Sequence, residues 1–227
     1  MSASIDKQLC ALQEQIEQVK ARIALPAYAN ASGQQGQILG HFLSRALQAS
    51  EAGDLVCRAR LGTPLAALVR MLCEDLFLCF WASLSEKDAA EYSKAVTADS
   101  LRLVRVMLEN ERGKVRHTST HEDKTDELLR LLKATKTDRV KIEQLVARLG
   151  LSRVYDLFYR YPSMEVHGKA FGLPSPNEEG GLLALLSAIV LLAKAIGLIA
   201  DNRVLQNRTT TADEILRLLG MADIPGK

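Results

Sequence analysis

An all-α fold is what this sequence predicts: a helical bundle with a long apolar central helix and an N-terminal heptad helix. Three observations carry that reading. Aromatic residues make up only 5% of the chain, and its apolar set is dominated by Leu and Ala, which lose little freedom in a helix. Apolar residues recur at steps of three and four, and no stretch alternates at period two between hairpin signals. Helix ends are marked by capping residues, proline and glycine.

The first helix is written by Ile5, Leu9, Leu12, Ile16, Val19 and Ile23, a heptad seam closed by Pro26. The seam can pack on the body of the chain or on a second copy. A glycine-bearing link over 30–36 leads to a second helix from about Gln37 to Arg60, with Ile38, Leu39, Phe42, Leu43, Ala46 and Leu47 on its inner face. Thr63-Pro64 reads as an N-cap and first helical residue. The helix it opens runs to about Ser83 and is apolar nearly all round. Its exceptions are Arg70 and Glu74, one turn apart and expected as a buried or half-buried polar pair.

Ser85 and Asp88 resemble a capping arrangement for a helix reaching about Glu111. The polar stretch 112–126 reads as a loop. Two shorter helices are expected over Asp126–Thr135 and Asp138–Leu149, the second stopped by Gly150. A Pro- and Gly-rich loop, Gly172–Gly181, precedes an apolar helix ending near Asn207. Within that helix, Leu182–Ala200 is long enough to span a bilayer. Lys194 lies well inside it, where an isolated charge is costly in lipid, so a buried central helix with no membrane is expected. Thr211-Ala212-Asp213-Glu214 is a capping box for a short final helix. The chain thus divides into an N-terminal amphipathic helix over 1–26, a bundle core over 36–207 and a C-terminal helix over 208–227.

The bulk numbers suit a globular protein: 227 residues, 48% hydrophobic, 25% charged. A net charge of +2 neither demands nor forbids a polyanionic partner. The four cysteines, Cys10, Cys57, Cys73 and Cys79, form no C-x-x-C pair, so no thiolate zinc site and no other cofactor is expected. A reducing cytoplasm suits them, and the N-terminus lacks the basic and apolar blocks of a signal peptide.

Four histidines bear on chemistry. His41, beside Phe42, reads as a partly buried structural residue. His117 and His121 have the spacing of a helical metal clamp but sit in loop-like sequence without a third ligand. His167 differs. It closes the segment Tyr155–Gly168, in which Arg160 precedes it by seven residues, with Tyr159, Ser163 and Glu165 nearby. On a continuous helix, Arg160 and His167 would project from nearly one face, about 10 Å apart along the axis. Pro162 interrupts that continuity, and a kink or fresh helix start is expected near Tyr161.

Arg160 and His167 fit the Arg-x4–6-His signature of the HEPN superfamily, all-helical domains common in prokaryotic toxins and antiphage systems, which this segment resembles. HEPN sites often carry Asn, Asp or His directly after the arginine; this chain carries Tyr161. The wider pattern also resembles an uncharacterised family of bacterial helical proteins. That family has an Arg-x3-Glu helix, matched by Arg70 and Glu74, and a Tyr-Arg-x-x-Ser-x-x-x-His element, matched by Tyr159, Arg160, Ser163 and His167. The HEPN resemblance implies metal-independent RNA cleavage by a homodimer. Arg160 would bind phosphate, His167 would transfer the proton, and Ser163 or Glu165 would orient them. Arg130, Lys133, Lys136, Arg139 and Lys141 could track an RNA backbone, although acidic residues interleave them. The rival expectation is a non-catalytic interaction module that uses the first-helix seam.

Overall fold

The opening heptad seam folds as α1, Ala3–Ile23, with the Ser2 hydroxyl accepting from the Ile5 N–H at 3.4 Å. Its Ile5, Leu9, Leu12, Ile16 and Val19 are at most 3% exposed. They are covered from within the chain, because α1 packs on α3 (Gln34–Arg58) and α10 (Glu179–Val204). A four-residue helix, α2 (Pro26–Ala29), follows α1 where only a helix stop is expected from Pro26. Pro26 opens it, at the position where a missing N–H leaves no bond unmade. The remaining helices are α4 (Gly62–Leu84), α5 (Glu86–Glu109), α6 (Thr125–Ala134), α7 (Ile142–Arg148), α8 (Ser152–Val154), α9 (Tyr161–Val166) and α11 (Ala212–Leu218). A π-helical turn, Tyr155–Arg160, joins α8 to α9. The computed structural model describes residues 2–29, 33–110, 113–134, 140–166 and 175–222. Among them there is no strand, only an isolated bridge between Arg116 and Asp123.

The chain forms two compact units, Met1–Ala89 with Ile142–Lys227, and Ala90–Lys141. In the first, α10 is the central helix and packs on α4, α3 and α1. Leu186, Ile189, Leu192, Ile196 and Ile199 on it are fully buried. It is the described helix long and apolar enough to cross a membrane, yet 67% of that apolar window is buried inside the protein. Lys194, the charge that interrupts the run, is exposed. α4 also packs against α9 and the π turn.

Buried polar groups tie the bundle together. Arg45 Nε donates to Asp75 Oδ2 at 2.8 Å. Asp201 accepts from Arg22 Nε and from Tyr28 Oη, each at 2.8 Å. Gln15 on α1 is 1% exposed, and neither of its amide atoms has a hydrogen-bond partner among the described residues. An unsatisfied buried amide costs about 1–3 kcal/mol. Gln15→Met, which keeps the unbranched shape without the amide, is therefore expected to raise unfolding stability by about 1 kcal/mol in urea titrations; a lower midpoint would contradict this.

Several boundaries differ from expectation. α4 starts at Gly62 rather than with Thr63 as its cap, because the Gly62 N–H is met by Asn177 Oδ1 at 2.8 Å. α10 begins at Glu179, so Gly180 and Gly181 are helical rather than loop. His41 is exposed, its ring tilted against Phe42 at 5.9 Å. The Ser85 cap holds as read, with its Oγ accepting from the Asp88 N–H at 3.1 Å. The capping box at Thr211 and Glu214 also forms, and Gly150 stops α7 with φ +73.

In the second unit, α5 from Ala90 onward leads through 113–124 to α6. The turn is closed by the Lys124 N–H donating to the Val115 carbonyl and the His117 N–H to the Glu122 carbonyl. Val96, Leu103, Val106 and Met107 are exposed on α5, Leu103 by 62%.

Candidate functional site

Pro162 shapes the site before any polar residue does. It has no N–H, and its ring crowds the carbonyl four residues back, that of Phe158. Widening the preceding turn to the π register relieves that crowding. The helix resumes at Tyr161, where the sequence suggested a fresh start.

The π register changes which side chains meet. Tyr155 and Tyr159 stack with ring centroids 4.9 Å apart and planes 17° apart. Arg160, five residues after Tyr155, lays its guanidinium over the Tyr155 ring at 5.4 Å. Residues five apart are not neighbours on an α-helix, so sequence spacing pointed at Arg160 and missed Tyr155. The Tyr155 hydroxyl donates to Glu143 Oε1 at 2.9 Å. Burial, helped by that carboxylate, pushes the Tyr155 phenol up to about 12. Arg160 also pairs with Asp156 at 3.1 Å, both side chains about 60% exposed (60% and 61%). Such a surface pair contributes little to stability.

Tyr159 turns to α4. Arg70 Nη2 donates to the Tyr159 hydroxyl at 3.3 Å, and the guanidinium lies 5.1 Å from the ring centroid. Two elements singled out separately, the Arg70 helix and the Tyr159-Arg160 segment, are thus in direct contact. Arg70 and Glu74 are both half-buried. Arg70 Nε is buried with no hydrogen-bond partner among the described residues. Ser163 is half-buried on α9. Glu165 belongs to α9 by its backbone, while its side chain and all of His167 lie outside the described residues.

Elsewhere, His117 and His121 sit on the exposed turn, where His117 Nδ1 faces the Thr120 N–H at 3.3 Å. No group of three metal-ligating side chains occurs among the described residues. Arg130, Lys133 and Lys141 are exposed, with Lys133 3.8 Å from Glu109. Lys136 and Arg139 lie outside the described residues.

Fold and site define an all-helical protein whose exposed arginine rides on a tyrosine stack anchored to a second arginine. Residues 36–176 match the family of unknown function DUF5677, and the chain belongs to that family. The matched span takes in Arg70, Glu74 and the Tyr159–His167 segment. No curated protein and no solved structure matches the chain.

Proposed function

We propose that the protein is a metal-independent, HEPN-like endoribonuclease that acts as a cytoplasmic homodimer in bacterial toxin or antiphage biology. The observation that supports this best is the Arg160 guanidinium. It is 60% exposed and held over the Tyr155 ring, seven residues ahead of His167 in the sequence. A guanidinium fork binds phosphate oxygens and favours the more anionic transition state of phosphodiester cleavage. An imidazole titrates near neutrality and can take the proton from a ribose 2′-hydroxyl. The 2′-oxygen then attacks phosphorus and the 5′-oxygen leaves, taking up a proton from the His167 of the second copy. The products are a 2′,3′-cyclic phosphate and a 5′-hydroxyl. Ser163 and Glu165 would orient the pair. Total RNA incubated with the purified protein in EDTA is expected to yield fragments with cyclic phosphate ends; intact RNA would end the proposal.

A non-catalytic interaction module is the second reading. The first-helix seam is covered within the chain, so the surface favouring this reading is the exposed stripe on α5: Val96, Leu103, Val106 and Met107. Exposed apolar stripes of this kind mark partner surfaces. Light scattering is expected to show self-association abolished by Leu103→Glu with Met107→Glu. A wild-type monomer at the highest soluble concentration would remove self-association through this face.

A further inference from the structure

The π turn has an apolar side that the Arg160 chemistry does not use. Phe158, Tyr161 and Pro162 line a cavity of about 260 Å³ together with Gly181, Ala184 and Ala188 of α10. The latter three recur at steps of three and four along one helix face. The small side chains of Ala184 and Ala188 leave the recess, while Gly181 admits the Ser175–Pro176 backbone, since a Cβ there would lie 2.6 Å from the Ser175 carbonyl oxygen. The other three present two aromatic rings and a proline ring. Among the described lining residues, only Tyr161 carries a polar side-chain atom.

That chemistry decides the occupant. No charged side chain is among the described lining residues, so these offer nothing to a phosphate or a carboxylate. A peptide inserted here would find only the Tyr161 hydroxyl among the described side chains for its backbone N–H and C=O groups. An apolar cavity of ~150 Å³ holds one benzene ring, so this larger one has room for two fused rings. We propose that the cavity is a binding site for a small planar aromatic molecule of indole or naphthol size. Its single polar substituent would meet the Tyr161 hydroxyl. Tyr161 is also the residue directly after Arg160, the position where HEPN sites often carry a polar group; here it belongs to the apolar side. The proposal does not depend on the ribonuclease reading.

The test is titration of indole into the full chain, followed by methyl NMR and thermal unfolding. Saturable shifts are expected at Val69, Leu185 and Ala188, with benzoate giving none. Ala184 is exposed, so Ala184→Phe can fill the cavity without displacing core atoms, and it is expected to abolish the indole response. Tyr161→Phe keeps the wall and drops only the hydroxyl. It is expected to weaken indole about fivefold, the worth of one neutral hydrogen bond, and to leave naphthalene binding unchanged. Failure of wild-type protein to respond to indole up to its solubility would overturn the proposal. So would equal binding of benzoate, a response undiminished by Ala184→Phe in a folded variant, or Tyr161→Phe affecting neither or both ligands equally.

Discussion

Arg160→Ala is expected to lower RNA cleavage in EDTA about 10²–10³-fold, the typical loss when one transition-state charge donor is removed. His167→Ala is expected to lose about 10²–10⁴-fold, the range for a general acid–base group. Folding should be untouched by the arginine change. Arg160 is 60% exposed and its pair with Asp156 is a surface pair, so unfolding stability is expected to move by no more than about 0.5 kcal/mol. Arg160→Lys separates charge from geometry: it retains the cation but loses the fork, and an intermediate loss is expected. Asp156→Asn removes the carboxylate paired with Arg160 and, on the ribonuclease proposal, is expected to tighten RNA binding, most visibly at low salt. Cleavage by Arg160→Ala at the wild-type rate would remove Arg160 from the chemistry.

What could be read from the sequence follows from how local each signal is. The α1 seam and the Ser85 and Thr211 caps were legible because each is settled within one or two helical turns. Gly150 was legible because a left-handed stop favours glycine. The start of α4 was not, since the group that satisfies the Gly62 N–H is Asn177 Oδ1, 115 positions away. The site was half legible. Pro162 announced a break near Tyr161, but nothing local announces a π turn, and only that register brings Arg160 over Tyr155. Glu143, which holds the Tyr155 hydroxyl from α7, carried no signal at all. The Arg70–Tyr159 contact spans 89 positions, so the spacing that suggested pairing Arg70 with Glu74 could not show it. His41 is exposed rather than partly buried for a geometric reason: its neighbour Phe42 is buried in the bundle, and adjacent positions on a helix lie about 100° apart.

Arg45→Met is expected to destabilise the first unit by about 3 kcal/mol at pH 7. Asp75 is 5% exposed on its side chain and Arg45 37%, so the carboxylate is the deeply buried partner. Burial pushes the Asp75 carboxyl above the usual carboxylate range; the Arg45 hydrogen bond and charge pull it back, with His41 adding a smaller pull. Removing one member of such a pair leaves a buried charge uncompensated, at a cost of about 3–5 kcal/mol, and the exposure of Arg45 puts this case at the low end. The pH dependence follows from the sign. A carboxyl whose folded pKa lies above its unfolded value favours folding in its neutral form. That contribution is fully present below the unfolded pKa and is lost as pH rises through the folded value. Without Arg45 the folded value rises further, so the deficit of the variant should be widest near pH 7 and shrink as pH falls toward the carboxylate range. Arg45→Met combined with Asp75→Leu removes both charges and is expected to return to within about 1 kcal/mol of wild type, since an apolar replacement of a buried pair is often neutral. Urea unfolding across pH distinguishes this from lost packing of the arginine stem, which would leave a deficit independent of pH and unrelieved in the double variant.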